Sequence, residues 1–141
     1  MGCFSNYTQG KILNLWFGGT AYTPPSTLYL AMFTVAPNSG TGSGGTEATG
    51  GGYARLAVTQ NTTNWPAATG GSPTTIENGA AFTYPQATGD WSTQSPMVAW
   101  GLYDASTGGN LICSGALTEN KIVYNGDTPS FPIDALQIEL N

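Results

Sequence analysis

The sequence predicts an all-β protein: an antiparallel, jelly-roll-like sandwich with one short N-terminal helix. The 141 residues include 20 glycines and 9 prolines, a composition typical of many short strands joined by turns. Apolar residues alternate with a period of two in several short segments, whereas helical spacing is clear in one segment. Hydrophobic residues make up 40% of the chain, so a domain of this length can bury a core.

Residues 5–17 form the segment with helical spacing. Ser5 is a suitable N-cap, and the two glycines at 18–19 would end the helix. The apolar stripe consists of Ile12, Leu13, Trp16 and Phe17, with Leu15 close by. We expect this helix to pack on the sheet or against a neighbouring subunit. The predicted organisation is therefore a helical segment at residues 1–19 and a sandwich domain at residues 20–141.

Short segments with the pattern of strands fill the rest of the chain. There are eight of them: residues 28–34, 53–60, 62–65, 80–84, 97–103, 111–117, 121–124 and 135–140, the last preceded by Phe131. The first follows Pro24 and Pro25, which hold the chain extended. It is apolar on both sides, so we expect it to be covered on both faces. Residues 104–110, DASTGGN, are a predicted hairpin turn.

A glycine-rich segment at residues 37–52 joins the first two strands and contains one charged residue. Loops of this length are usually functional or disordered, so we expect it to be exposed and ordered by a neighbouring subunit. Its candidate contact residues are Gly44, Thr46, Glu47 and Gly50. The segment lacks the Gly-Lys-Ser/Thr sequence of a phosphate-binding loop, which excludes that function.

Charged residues are scarce, with 3 basic and 8 acidic side chains and a net charge of −5. The three cations, Lys11, Arg55 and Lys121, are scattered, so we predict no nucleic-acid partner and no binding to an anionic membrane. No stretch approaches the roughly 18 consecutive apolar residues of a membrane span. The N-terminus also lacks the basic and apolar regions of a secretory signal. Arg55 is expected to pair with Glu47 or Asp104 and fix the nearby loop.

Catalytic groups are not apparent. The chain has no histidine, which removes Ser-His-Asp and Cys-His catalysis and the usual zinc ligands. Cys3 and Cys113 lack CxxC spacing, so we predict free thiols, no metal site and no cofactor. Paired carboxylates would be needed for glycoside hydrolysis, and the candidates are Glu77, Asp90, Asp104 and Glu119. Asp90, Asp104 and Asp127 lie at predicted turns, which favours structural roles and leaves an enzyme as a minor alternative.

Two tryptophans are the best candidates for contact with a glycan or a partner. Trp65 and Trp91 lie beside loops, so we expect them to be exposed. Trp100 and Tyr103 lie within an apolar strand, so we expect them to pack in the core.

Five segments in a fixed order resemble a known family. They are TAYTPPSTLYLAMFT from residue 20, GGTEATGGGYARLAVT from 44, FTYPQATGDW from 82, WGLYDASTGGNLICSGAL from 100 and NGDTPSFPIDALQIEL from 125. In this order the sequence resembles small virion proteins of tailed bacteriophages, often tail fibre proteins and in some phages capsid cement proteins. The resemblance implies a virion component and leaves its place on the particle open.

The expected function is structural and non-enzymatic. Our first interpretation is a homo-oligomeric capsid cement protein, made in the host cytoplasm, that binds the major capsid protein or other virion proteins at subunit junctions. The chain shows no stalk, repeat or heptad pattern of a fibre shaft, which favours this interpretation. The alternative is a tail fibre or tail-associated protein that binds a receptor or glycan through Trp65, Trp91 and the loops.

Overall fold

A large mixed β-sheet dominates the computed structural model, which describes residues 2–140. The elements are β1 (Gly2–Phe4), α1 (Asn6–Trp16), β2 (Thr27–Val35), β3 (Thr46–Glu47), β4 (Leu56–Thr59), β5 (Thr74–Glu77), β6 (Phe82–Thr83), a 3₁₀ turn (Trp91–Gln94), β7 (Met97–Tyr103), β8 (Leu111–Lys121), β9 (Ser130–Phe131) and β10 (Gln137–Leu140). The predicted all-β class with one short N-terminal helix is confirmed.

The main sheet has the strand order β3-β2-β7-β8-β1-β10-β5, and β4 also pairs with β2. A separate pair, β6 and β9, makes a small second sheet. The hairpin β7–β8 is antiparallel, with Tyr103 opposite Leu111 near its turn and Met97 opposite Lys121 at its far end. β1 runs parallel to β10, with Gly2 opposite Ile138. The expectation of a wholly antiparallel sandwich is therefore wrong at that pair, and the jelly-roll arrangement is not confirmed.

Apolar side chains cover both faces of β2, as its sequence pattern predicted. Leu30 and Met32 belong to the main core, together with Trp100 of β7. Ala31 and Phe33 point to the other face and join a smaller cluster. Because both faces are covered, β2 has no alternation of apolar and polar residues.

The helix begins and ends where the sequence indicated. The Ser5 hydroxyl oxygen accepts a hydrogen bond from the Thr8 N–H at 3.3 Å, and Ser5 itself is buried. After the helix, Gly19 adopts a positive φ of 62°, which suits a glycine after a helix end. The Thr8 hydroxyl donates to the Ile112 carbonyl at 2.8 Å, which holds the first turn against the start of β8. No described residue of α1 is buried, so the helix lies on the surface of the molecule.

Two predicted strands are absent from the structure, and three observed strands were not predicted. Residues 62–65 form a turn, because the Asn61 side-chain oxygen accepts hydrogen bonds from the Thr63 and Asn64 N–H groups. The separate strand expected at 121–124 is absent, since β8 runs on as far as Lys121. β1, β3 and β5 were not predicted. Each has four residues or fewer, too short for a periodic pattern.

No helix among residues 2–140 has the length and apolarity that a membrane crossing requires.

Candidate interaction surfaces

The glycine-rich segment is held by its own chain. Thr46 and Glu47 pair with β2, and the next residue, Ala48, is buried and donates to the Met32 carbonyl at 2.8 Å. Further back, the Gly40 carbonyl accepts from the Asn6 N–H at 2.9 Å. These contacts anchor the segment within its own chain, which its sequence did not predict. Its tips at Gly44, Thr46 and Gly50 remain exposed.

The fourth candidate of this segment, Glu47, is engaged in an internal network. Arg55 makes a bidentate ion pair with it, at 2.8 Å from Nε to Oε1 and 2.9 Å from Nη2 to Oε2. The Tyr53 hydroxyl donates to the same carboxylate at 2.8 Å. The other end of the guanidinium donates to two carbonyls of the β7–β8 turn, those of Ala105 and Gly108. The expected Glu47–Arg55 pair is confirmed, and it ties the glycine-rich segment to the hairpin.

The environment of Glu47 favours its charged form. Burial raises the pKa of this carboxyl, but the hydrogen bonds from Arg55 and Tyr53 outweigh burial and hold the pKa below its ordinary value. The Arg55 guanidinium also lies 3.9 Å from the centre of the Tyr103 ring, a cation–π contact. Glu47 accepts three hydrogen bonds and Arg55 donates four, all within this chain, so the network braces the fold.

The two candidate tryptophans are not exposed as expected. Trp91 is 1% exposed, and its indole N–H donates to the Gly51 carbonyl at 3.2 Å. Trp65 is partly buried against Phe82, with ring centroids 5.4 Å apart. Both side chains had been assigned to the surface because loops flank them. Residues 90–95 instead fold over the core edge and carry the Trp91 ring inward. Trp100 and Tyr103 are buried, as predicted.

The acidic residues at turns hold the backbone. Asp104 accepts from the Asn110 N–H at 2.7 Å, Asp127 from the Tyr124 N–H at 2.9 Å, and Asp90 from the Asn125 N–H at 2.8 Å. These contacts confirm the predicted turn roles of Asp104 and Asp127, whereas Asp90 links its own segment to the turn at Asn125.

The remaining carboxylate candidates, Glu77 and Glu119, lie in separate pairs. Glu77 accepts from Gln137, and Glu119 pairs with Lys121 at the surface. Across residues 2–140, no three potential metal-ligating side chains cluster together. Cys3 and Cys113 are both free thiols, as predicted, the first exposed and the second buried.

A large apolar groove lies beside the far end of β8 and was not foreseen. Its volume is about 550 Å³, and it opens between residues 116–123 and the segment 127–135. Its principal apolar lining is Met32, Trp100, Leu117, Ile122, Val123 and Phe131. Charged side chains at the rim are Glu119, Lys121 and Asp127. No sequence signal marked it, because its walls come from segments that are distant in the chain.

The end of α1 is a second apolar surface. Leu13 is 57% exposed, Trp16 77% and Phe17 87%. The sequence predicts that this stripe packs on the sheet or on a neighbouring subunit. Ile12 is partly buried and lines a pocket with Leu28 and Ile112 of the sheet, whereas Leu13, Trp16 and Phe17 are exposed. Isolated exposed apolar residues are ordinary, whereas these neighbouring side chains form an exposed apolar patch at the helix end.

The Lys11 Nζ lies 5.2 Å from the centre of the Tyr7 ring and 5.3 Å from that of the Tyr22 ring. It is the only charged residue before Glu47. The helical region is therefore weakly cationic within an acidic protein.

Comparison with known proteins identifies the family of this chain. A family model described as "Podophage GP4 fiber I protein gp80" matches residues 3–139. No match was found among curated proteins. The family match spans β1, the helix, the groove and nearly all of β10, so it covers the whole architecture described above. The chain belongs to the podophage GP4 fiber I protein gp80 family, a bacteriophage virion family.

Proposed function

We propose that this protein is a non-enzymatic component of a podophage tail fibre, held on the virion by protein–protein contacts. The observation that carries the proposal is the match to a fibre protein family over residues 3–139. The sequence alone had favoured a capsid cement protein, since the chain lacks a shaft. The family favours the alternative, because its described member is a fibre protein.

The surface chemistry supports a structural role. The two apolar surfaces, the groove beside β8 and the end of α1, are of the kind that becomes buried in an assembly. The turn aspartates are engaged with backbone N–H groups and are poorly placed for acid–base chemistry. A glycan-binding role through Trp91 is disfavoured, because a 1% exposed ring offers no face to a sugar.

The test is to find the protein on intact particles and to compare particles with and without it. Antibody fragments raised against the purified protein should label the tail fibres in electron micrographs and leave the shell bare. Particles assembled without it should keep the shell's resistance to heat and chaotrope but adsorb poorly to host cells.

Labelling at capsid subunit junctions, together with a heat-sensitive shell in its absence, would instead support the cement interpretation. In that case the major capsid protein would be the partner. Labelling of neither structure would contradict both assignments.

A further inference from the structure

We propose that a cleft beside helix α1 binds an anionic amphiphile, with its alkyl chain between the helix and the core and its negative head group at Lys11. The cleft consists of two adjoining cavities, here called the inner cavity and the outer cavity, of about 370 and 230 Å³. They meet at Leu28, Gln60 and Ile112, which line both. This site does not depend on where the protein lies on the particle, so it is tested separately from the proposed function.

The inner cavity leaves part of the main core uncovered. Four of the residues that line it are buried members of that core: Leu28, Leu102, Cys113 and Ile138. Gln60 and Asn61, which also line it, are exposed, so the cavity reaches the surface. Protein interiors contain few voids larger than a water molecule, and an apolar cavity of this volume is suited to an apolar occupant.

The outer cavity lies between the helix and the chain that leads into β2. Ile12 and Leu15 of α1 form one apolar wall, and the prolines at 24–25 form another. The Thr8 hydroxyl donates to the Ile112 carbonyl at 2.8 Å, which holds the helix beside the start of β8. Because Ile112 also lines the inner cavity, the proposed alkyl chain passes from the helix to the core along this residue.

The charge in the cleft is opposite to that of the whole protein. Of the described residues that line it, one is a cation and none is a carboxylate, although the chain has 8 acidic and 3 basic side chains. The cation is Lys11, whose Nζ lies 5.2 and 5.3 Å from the centres of the Tyr7 and Tyr22 rings. Arg55 and Lys121 are paired with carboxylates, whereas Lys11 makes no ion pair within residues 2–140.

Size and charge together define the class of ligand. A methylene group is similar in size to a water molecule, which takes about 30 Å³ in the liquid, so the inner cavity accommodates an alkyl chain of roughly ten carbons. The unpaired ammonium of Lys11 favours one negative group at the other end, through a charge-assisted hydrogen bond. A free fatty-acid carboxylate and a membrane lipid with an anionic head group share this chemistry, and the experiment distinguishes these two sources.

Isothermal titration calorimetry with decanoate measures the binding. We expect saturable binding of one decanoate per protein and about tenfold weaker binding of 1-decanol, which lacks the charge. Butyrate, whose chain is too short for the inner cavity, should not bind. Lys11→Gln should weaken decanoate binding about tenfold and change 1-decanol binding by about twofold or less. Lys121→Gln removes an exposed cation outside the cleft and is the matched control, which should bind decanoate like the wild type.

Two further variants test where the alkyl chain and the head group lie. Gln60→Trp fills the junction of the two cavities from an exposed position, and Gln86→Trp is its control at an exposed glutamine elsewhere. Leu15→Asp places a carboxylate in the outer cavity, and Leu13→Asp makes the same change at an exposed helix residue that does not line it. We expect Gln60→Trp and Leu15→Asp to weaken decanoate binding about tenfold or more, and the controls to leave it unchanged. Circular dichroism and urea unfolding should show that all variants are folded.

Flotation with vesicles of phosphatidylglycerol and phosphatidylcholine distinguishes the two sources of the ligand. Vesicle binding that is lost in Lys11→Gln and Gln60→Trp would support a membrane lipid, and decanoate binding without vesicle binding would support a free amphiphile. Absence of saturable decanoate binding would overturn the proposal. So would equal affinity for decanoate and 1-decanol, or a folded Gln60→Trp variant that binds decanoate like the wild type.

Discussion

Replacing Trp91 by alanine is expected to destabilise the protein by about 4–5 kcal/mol. The indole is 1% exposed and packs edge-on against Tyr53 and Tyr84, with ring centroids 4.9 and 5.4 Å away. Removing a large buried aromatic costs about 3–5 kcal/mol. The lost N–H bond to the Gly51 carbonyl adds about 1 kcal/mol or less, because that carbonyl still accepts from the Thr88 N–H at 3.0 Å.

Urea unfolding of the purified protein, followed by circular dichroism, measures this loss. Trp16→Ala is the matched control: the same change at a residue 77% exposed should alter the free energy of unfolding by about 0.5 kcal/mol or less in the monomer. Trp91→Phe should recover part of the loss, because it restores packing without the indole N–H. Measurements at low protein concentration keep self-association from contributing.

Two results would refute the reasoning. One is a Trp91→Ala variant within about 1.5 kcal/mol of the wild type, well below the range for a buried aromatic. The other is an equal loss for Trp91→Ala and Trp16→Ala, which would mean that the burial of the two rings has been misassigned. The sequence had predicted a small effect at Trp91, on the expectation that it is exposed.

Three further outcomes are expected. The pKa of Glu47 is lowered in the folded state, so its ionised form stabilises the protein at neutral pH. This stabilisation is lost as the pH falls from the ordinary pKa of 4.5 through the lower folded-state pKa. Urea titrations across this pH range should therefore show a flatter acid dependence of stability for Glu47→Gln. A thiol reagent should label Cys3 alone in the native protein, and Cys113 should react only after unfolding. The reason is that burial shields the Cys113 thiol and raises its pKa. Rapid labelling of both thiols would contradict this prediction. Gly51→Ala should lower the free energy of unfolding by more than about 2 kcal/mol, because a Cβ there would lie 2.1 Å from the Gly89 carbonyl oxygen. Gly44→Ala, also at positive φ but in open space, should lower it by about 1 kcal/mol. Equal melting temperatures for the two variants would be inconsistent with this packing.

The sequence located most strong elements of the fold because their signals are local. The residue pattern of 97–103 coincides with β7, and that of 28–34 lies within β2. Ser5 and the two glycines at 18–19 mark the ends of α1, since caps act within one turn of the helix. Asp104 and Asp127 were assigned correctly for the same reason, since each accepts from a backbone N–H of its own turn. Asp90 accepts instead from the Asn125 N–H, which is distant in the chain.

The burial of side chains beside loops could not be predicted from local sequence patterns. Trp91 is carried into the core by a turn with positive φ angles at Ser92 and Thr93, which their residue types do not announce. Glu47 was proposed as a contact residue, and the structure directs it inward to Arg55 and Tyr53. The indole of Trp91 bonds the Gly51 carbonyl, which is distant in the chain. The partners of Glu47 are near in sequence, and the pairing with Arg55 was predicted, but the predicted pair did not by itself show that the carboxylate is withdrawn from the surface.

The sequence by itself determined an all-β chain with one helix, free thiols, few charges and a resemblance to phage virion proteins. Composition, periodicity and capping carry that information, and they depend on neighbouring residues alone. The tertiary structure was needed to show that β1 joins the main sheet parallel to β10, that Trp91 is internal, and that residues 116–123 and 127–135 enclose an apolar groove. These features arise where distant segments meet, and which segments meet is set by the packing of the whole chain.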